Sequence, residues 1–169
     1  NSEVGHMNLG AGRPVRQDLV CINEAIENKT LKNIPHLLEL IKMALAGNKR
    51  IHLMGLLSDG GVHSHIDHLK ELYKIFSAYP ELKLFFHAFT DGRDTARDSG
   101  KKYVAEILKM DKLIFASMQG RSIGMDREKK KKKIELAYKT MTGSGNKTKL
   151  KADQYLESQY HKNIFDEFI

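Results

Sequence analysis

A unit of short apolar run, polar loop and helical pattern occurs three times in succession, and it constrains the fold more than any other feature of the sequence. The three apolar runs are Arg50 to Leu57, Leu82 to Phe89 and Leu113 to Met118. The helical patterns that follow them run from Ile66 to Tyr79, from about Ser99 to Lys109, and from beyond Arg127 to about Thr140. Apolar runs flanked by helices are typical of parallel strands in a buried sheet. The sequence therefore predicts an α/β fold with a mostly parallel sheet flanked by helices.

A long helical pattern precedes this repeat. Apolar residues recur at helical spacing from Ile34 to Ala46, which predicts a helix there. Asn33 is a suitable cap, Pro35 fits the first turn, and Gly47 supplies a stop. Weaker helical patterns occupy two further stretches, Asp18 to Ile26 and Asp153 to Tyr160.

The first dozen residues are rich in glycine and show no clear periodicity. Such a stretch is typical of a loop or connector. Gly12-Arg13-Pro14 is a plausible hinge, because proline stiffens the backbone just where the composition changes.

The polar loops that follow the three strands carry the residues most suited to ligand binding. In an open α/β sheet, ligands collect outside the carboxyl ends of the strands, so these loops should share one rim. Arg93, Arg121 and Arg127 each offer a planar guanidinium that suits a phosphate or a carboxylate. Asp94 could accept hydrogen bonds from sugar-like hydroxyls. The alternative is that these side chains are ordinary surface charges.

His63, His65 and His68 form the short cluster H-S-H-I-D-H. Two histidines at such spacing can share a metal ion, and Asp67 could add a carboxylate. His63 could instead donate a hydrogen bond to a phosphate or a carboxylate. A purely structural role for the cluster is also open, since histidines often begin helices.

Composition limits the function classes without choosing among them. The net charge of +7 is compatible with phosphates, nucleic acid or acidic lipids. The run Lys129 to Lys133 could be a nucleic-acid patch, but no aromatic residues alternate with it to stack bases, and a solvated helix face explains it equally well. Cys21 is the single cysteine, which excludes an internal disulfide and suits a reducing compartment. No apolar run approaches the roughly 20 residues of a membrane span.

Four blocks of sequence resemble those of cofactor-independent phosphoglycerate mutases. N-S-E-V-G-H-M-N-L-G-A-G-R at 1–13 is similar to the phosphoserine loop of that family. L-S-D-G-G-V-H-S-H at 57–65, H-A-F-T-D-G-R-D-T at 87–95 and G-R-S-I-G-M-D-R at 120–127 resemble three further signature blocks in the family's order. The resemblance extends over essentially the whole chain. Departures from the family pattern occur at Ala96, Arg97, Ser122, Ile123, Glu128 and the lysines after it.

This resemblance implies specific roles for six residues. Ser2 would be the catalytic residue that accepts the phosphoryl group, and it would also ligate one of two divalent metal ions, usually Mn²⁺. The residues that would hold phosphoglycerate are His63, Arg93, Asp94, Arg121 and Arg127. The implied activity is that of an isomerase of glycolysis and gluconeogenesis, which interconverts 3-phosphoglycerate and 2-phosphoglycerate through a phosphoserine intermediate.

The resemblance also implies a domain organisation. Residues 1–14 would be a stub of a metal-binding domain similar to alkaline phosphatase, and residues 15–169 most of an inserted α/β substrate-binding domain. We expect an internal fragment that is inactive alone, because most metal ligands of the family have no counterpart here. The whole enzyme is expected to be a cytoplasmic monomer that binds a small-molecule substrate and neither nucleic acid nor membrane.

Two other interpretations remain open at the level of sequence. The chain could be a standalone basic α/β module that binds phosphorylated ligands or nucleic acid. It could also be a histidine-dependent metalloenzyme built on the cluster from His63 to His68.

Overall fold

The fold is seen in a computed structural model that describes residues 2–169, with side chains described from Val4 onward. The helices before the sheet and between its strands are α1 (Ser2–Ala11), α2 (Asp18–Glu27), α3 (Pro35–Ala46), α4 (Ile66–Ser77) and α5 (Gly100–Ile107). The strands are β1 (Arg50–Leu57), β2 (Lys83–Thr90) and β3 (Leu113–Gly120). The helices after the sheet are α6 (Arg121–Gly124), α7 (Lys131–Met141) and α8 (Ala152–Tyr160). Short 3₁₀ turns occupy Leu31–Asn33 and Asp166–Phe168.

The strands form a parallel sheet in the order β1-β2-β3, which confirms the predicted α/β fold. Their last residues are in register, with Leu57 opposite Thr90 and Thr90 opposite Gly120. The three loops that follow the strands therefore start from one line at the edge of the sheet. This confirms the shared rim, and it follows from strand direction alone.

The hydrophobic core lies on one face of the sheet. Residues 84, 86 and 88 of β2 alternate inward and are almost fully buried, as the twofold period of a strand requires. The helices contribute side chains to the same cluster, notably Ile41, Phe76, Val104 and Leu156. Burying side chains of this size stabilises the fold by about 1.5–3 kcal/mol each relative to exposure. The apolar residues that recur at helical spacing in the sequence thus form the helix faces that pack on this side of the sheet.

The opposite face of the sheet carries a row of hydrogen-bonded side chains. His52 Nδ1 lies 2.9 Å from His87 Nε2, and His87 Nδ1 lies 2.7 Å from Ser117 Oγ. The His52 ring also stacks on Phe85 at 4.8 Å between ring centroids. One side chain from each strand takes part, so the row joins β1, β2 and β3 across the sheet. Burial and the neighbouring His52 lower the pKa of His87.

Two expectations about local structure were wrong. Residues 2–11 form helix α1 rather than a loop. Glycines 5 and 10 disfavour a helix by about 1 kcal/mol each relative to alanine, but the other residues of this stretch are compatible with a helix. Leu9 of this helix is 82% exposed. Asn33 does not cap α3; it belongs to the preceding 3₁₀ turn, and the N-cap position falls on Ile34. Pro35 at the first helical position begins the helix without a side-chain cap.

The remaining helix predictions are confirmed to within a few residues, and Gly47 ends α3 as expected. The short helix α6 and the 3₁₀ turn at Asp166–Phe168 were not predicted. Across residues 2–169, the helices are all too short or too polar to span a bilayer.

Candidate functional site

The loop after β2 is organised by a buried carboxylate, Asp91, which is 1% exposed. Its Oδ1 atom accepts hydrogen bonds at 3.1 Å from the backbone N–H groups of both Arg93 and Asp94. An aspartate that accepts from the backbone two and three residues on is the usual way of holding a tight turn. Gly92 lies inside this turn at φ +72°, a conformation that other residues adopt only with strain.

Arg121 connects this loop to the end of β3. It follows Gly120 as the first residue of α6 and is 8% exposed. Its Nη1 atom donates at 2.6 Å to Asp91 Oδ1 and at 2.6 Å to Asp94 Oδ2. Charge-assisted hydrogen bonds of this length are among the strong ones in proteins. Two loops of the rim are therefore fixed to each other through a single guanidinium.

The charges of this cluster stabilise one another. Burial raises the pKa of Asp91, but hydrogen bonds from the Ser58 hydroxyl, the Asp94 backbone and Arg121 outweigh it, so the pKa lies below its usual value. The Ser58 hydroxyl lies near Asp91 without ideal hydrogen-bond geometry, and Asp91 Oδ2 is left without a partner among the described residues. Burial lowers the pKa of Arg121, but its hydrogen bonds with Asp94 and Asp91 outweigh this and raise it. Asp91 and Arg121 are thus ionised at neutral pH.

The ends of β2 and β3 are covered by residues 165–169, which we call the closing segment. The Thr90 hydroxyl donates to the Asp166 carbonyl at 2.6 Å, and the Gly120 N–H donates to the Ile169 carbonyl at 2.8 Å. The Asp166 carboxylate accepts from the Gly100 N–H at 2.6 Å and from the Tyr160 hydroxyl. The closing segment therefore connects the rim to α5 and α8.

Asp166 is fully buried, and burial raises its pKa above the usual aspartate range. The hydrogen bonds from Tyr160 and Gly100 oppose this shift, while the nearby negative charges of Asp98 and Asp91 add to it. Unlike Asp91, Asp166 has no cation beside it among the residues of which the side chains are described.

Arg93, Asp94 and Arg121 are the predicted binding residues that the fold brings together. The Arg93 side chain is half exposed, and its Nε atom lies 3.6 Å from Glu167 Oε1 of the closing segment. His63 and Arg127 are exposed and lie outside the hydrogen-bonded cluster. The loops of the rim therefore carry one buried guanidinium, Arg121, and the exposed side chains of Arg93, His63 and Arg127.

Comparison with known proteins assigns the family. A family model described as "BPG-independent PGAM N-terminus" matches residues 22–169. The chain belongs to this family.

The relatives within this mutase family include curated proteins and a solved structure. The whole chain is 44% identical over 171 residues to the 2,3-bisphosphoglycerate-independent phosphoglycerate mutase of Helicobacter hepaticus, and 45% identical over 178 residues to that of Onchocerca volvulus; it covers 34% of each. The crystal structure of Leishmania mexicana phosphoglycerate mutase at low cobalt concentration matches 99% of the chain with a TM-score of 0.83 and 27% identity, over 33% of its own length. The chain thus spans about a third of the length of the mutases that it matches.

The prediction that Ser2 is the catalytic nucleophile and a metal ligand concerns a side chain outside the described residues. Within the part of the structure that has described side chains, the histidine, cysteine, aspartate and glutamate residues form no group of three that could hold a metal ion.

The histidine cluster has structural partners instead. His65 Nδ1 accepts a hydrogen bond from the Asp67 backbone at 3.2 Å and so caps α4. His68 Nε2 lies 2.7 Å from Asn23 Oδ1 on α2. The contacts of these two histidines support the structural interpretation over a metalloenzyme centred here.

The lysine run is a solvated face, with several of its charges paired. Lys130 Nζ lies 2.5 Å from Glu128, and Lys133 Nζ donates to the Ser122 hydroxyl at 2.9 Å. Two of the positions at which this chain departs from the family pattern, Ser122 and Glu128, therefore have lysines of the run as partners.

Three residues of the rim were missed at the sequence level: Asp91, Asp166 and Glu167. The Asp91-Gly92 pair directly after a strand is a recognisable turn signal. Nothing in the sequence shows that the same carboxylate also reaches Arg121, which is 30 residues away. The position of the D-E-F block at 166–168 over the strand ends could be seen only in the fold.

Proposed function

We propose that this chain forms the phosphoglycerate-holding part of a cofactor-independent phosphoglycerate mutase, an isomerase that interconverts 3-phosphoglycerate and 2-phosphoglycerate. The observation that carries the proposal is the cluster of Arg93, Asp94 and Arg121 at the carboxyl edge of the sheet, in a chain of this family. Three positions at which the family resemblance implies substrate contacts thus converge at the edge where α/β sheets bind ligands.

The chemistry of the rim fits the two ends of phosphoglycerate. The guanidinium groups of Arg93 and Arg127 are exposed and can form paired hydrogen bonds with a phosphate or a carboxylate. We assign to Asp94 the acceptance of hydrogen bonds from glycerate hydroxyls, and to His63 a hydrogen bond to the substrate. Holding glycerate in place between two phosphoryl transfers gives the returning phosphate an oriented acceptor.

The proposal also covers the phosphoryl transfer itself, which requires groups outside the described side chains. Ser2 would accept the phosphoryl group, and divalent metal ions, Mn²⁺ in our proposal, would supply the charge that activates a serine hydroxyl. The Leishmania mexicana structure is of the mutase at low cobalt concentration, which supports a divalent ion. Because the side chains described from Val4 onward form no group of three His, Cys, Asp or Glu that could hold such an ion, we assign to this chain the task of holding substrate and expect it to be inactive alone. The complete enzyme is proposed to be a cytoplasmic monomer without nucleic-acid or membrane partners.

Joining the flanking segments of the Helicobacter hepaticus relative to this chain tests the proposal. The joined protein should convert 3-phosphoglycerate to 2-phosphoglycerate with Mn²⁺ and without 2,3-bisphosphoglycerate, and Ser2→Ala should abolish the activity. A well-folded, metal-loaded protein without activity would contradict the proposal.

A matched pair of arginine variants in the same protein tests the rim. Arg127→Met should raise KM about tenfold or more, because a hydrogen bond to a charged group contributes about 1.5–3 kcal/mol. Arg16→Met should leave KM unchanged, since Arg16 pairs with Glu24 on α2. Equal kinetics in the two variants would exclude Arg127 from the binding site.

A further inference from the structure

We propose that Asp91 is the positioning residue of the phosphoglycerate site: its carboxylate holds the Arg121 guanidinium and the backbone at residues 93 and 94 in the orientation that binds the substrate's anionic groups. The proposal rests on the function proposed above and adds a residue to which the resemblance gave no role.

The first support is the convergence of three donors on one oxygen atom. Asp91 Oδ1 accepts from the Arg93 N–H, from the Asp94 N–H and from Arg121 Nη1. Arg93, Asp94 and Arg121 are all predicted substrate contacts. Because Asp91 is 1% exposed, its carboxylate is shielded from substrate and acts through these three neighbours.

The second support is the part of the guanidinium that Asp91 leaves available. Arginine has five N–H donors in a planar fork. The two on Nη1 point to Asp91 and Asp94. The Nε and Nη2 groups make no hydrogen bond with the described residues, and they are not among the fully buried atoms that lack a partner, so they reach solvent. That edge presents two parallel donors, the arrangement that binds a phosphate or carboxylate in a bidentate manner.

Asp91 also has an effect that would weaken binding of an anion, opposite to the effect of positioning Arg121. Its negative charge lies 2.6 Å from Arg121 and weakens the attraction of that guanidinium for an anion. If neutralisation dominated, removing the charge would tighten binding. If positioning dominates, removing it would weaken binding, because Arg121 would lose its fixed orientation. The two accounts therefore predict opposite signs.

The test uses the 169-residue chain and Asp91→Asn. Asparagine keeps an acceptor for the turn at residues 93 and 94 but removes the charge that holds Arg121, and its new N–H₂ group can reach the Ser58 hydroxyl. Asp59→Asn is the matched control, because Asp59 follows β1 at the same edge but bonds to Tyr103 and Lys102. Titration with 3-phosphoglycerate is followed by NMR, together with the Arg121 guanidinium ¹⁵N signals.

We expect the affinity of Asp91→Asn for 3-phosphoglycerate to fall about ten- to a hundredfold, the size of effect that misplacing a binding group produces. The Arg121 signals should at the same time show faster guanidinium rotation. Asp59→Asn should change neither. Unchanged or tighter binding in Asp91→Asn, or unchanged Arg121 signals, would overturn the proposal.

A second comparison decides the matter if Asp91→Asn does not fold. In the wild-type chain, Arg121 should rotate more slowly than the exposed Arg127, and this slow rotation should survive Asp94→Asn. Loss of slow rotation in Asp94→Asn would make Asp94 the anchor and overturn the proposal. If the wild-type rim does not respond to 3-phosphoglycerate at all, the proposed function fails, whereas the Arg121 signals still report on Asp91.

Discussion

Asp91 and Asp166 are both buried aspartates at the edge of the sheet, and their pKa values move in opposite directions. Burial raises the pKa of each. At Asp91 the Ser58 hydroxyl, the backbone N–H groups of residues 93 and 94 and the Arg121 guanidinium outweigh burial. Asp166 receives one N–H and one hydroxyl, and it faces the negative charges of Asp98 and Asp91. The larger set of donors, one of them a cation, thus keeps the pKa of Asp91 below its usual value, whereas the two donors at Asp166 leave its pKa raised by burial.

Asp166 should make the free energy of unfolding fall as pH rises. Because its pKa is higher in the folded state, the native protein holds a proton that the unfolded chain loses at about pH 3.9, and the stability lost grows until the folded pKa is passed. Asp166→Asn removes this titration. Urea unfolding from about pH 4 upward should therefore show the wild type losing stability relative to the variant as pH rises. A constant difference between the two proteins would contradict the raised pKa.

At the scale of elements, the close approach of β3 and the closing segment depends on a glycine. A Cβ atom at residue 120 would lie 2.3 Å from the Glu167 carbonyl oxygen and 2.5 Å from its carbon. These are backbone atoms, which cannot rotate out of the way. The Gly120 N–H also donates to the Ile169 carbonyl, so the segment is held where the space is smallest.

Gly120→Ala should therefore displace the closing segment and lower the free energy of unfolding by about 1–3 kcal/mol or more, the usual cost of overpacking. Gly55→Ala in β1 is the matched control, because a Cβ there meets nothing within 4 Å. Chemical denaturation gives the stabilities, and hydrogen exchange at the Gly100 N–H reports whether Asp166 has moved. Equal stability of the two variants would mean that the segment accommodates the methyl group.

The elements differ in how far they could be predicted. The strands and the helices between them could be predicted from apolar runs and helical periodicity, because the residues that are buried at the sheet must be apolar and so produce these patterns. Helix α6 is four residues long, too short to show a period. Helix α1 is glycine-rich and largely exposed, so neither composition nor burial indicated it. Arg93, Asp94 and Arg121 were singled out by their positions after the strands and by the family resemblance, but the contacts that join them span about 30 residues and required the fold.

At the scale of the whole molecule, the net positive charge is not concentrated at the rim, because two rim arginines lie beside carboxylates. Arg121 is balanced by Asp91 and Asp94, and Arg93 lies beside Glu167. The net charge of +7 therefore resides mainly on the exposed lysines elsewhere, including those of α7. The selectivity of the rim among anionic ligands should consequently depend more on the geometry of its hydrogen-bond donors than on the overall electrostatic attraction of the protein.

The stability of the whole molecule should fall in mild acid because of His87. Its pKa is lowered by burial and by His52, so its contribution is fully present above about pH 6.5 and is lost as pH falls through the folded pKa. His87→Gln should be less stable at about pH 7, since Ser117 and His52 lose a partner, but should lose less stability between about pH 7 and pH 5. Parallel unfolding free energies for wild type and variant over that range would contradict the lowered pKa.

The closing segment has a consequence for how the protein is made. A ribosome adds about 5–20 residues per second, so several seconds separate the emergence of Gly120 from that of Asp166. During that interval the three strands can pair, but the Thr90 hydroxyl and the Gly100 N–H cannot yet form their hydrogen bonds with Asp166. The nascent sheet therefore exposes the ends of its strands to chaperones and to other nascent chains until Asp166 and Ile169 have emerged from the ribosome. Slowing or pausing synthesis within α7 or α8 would lengthen that exposure.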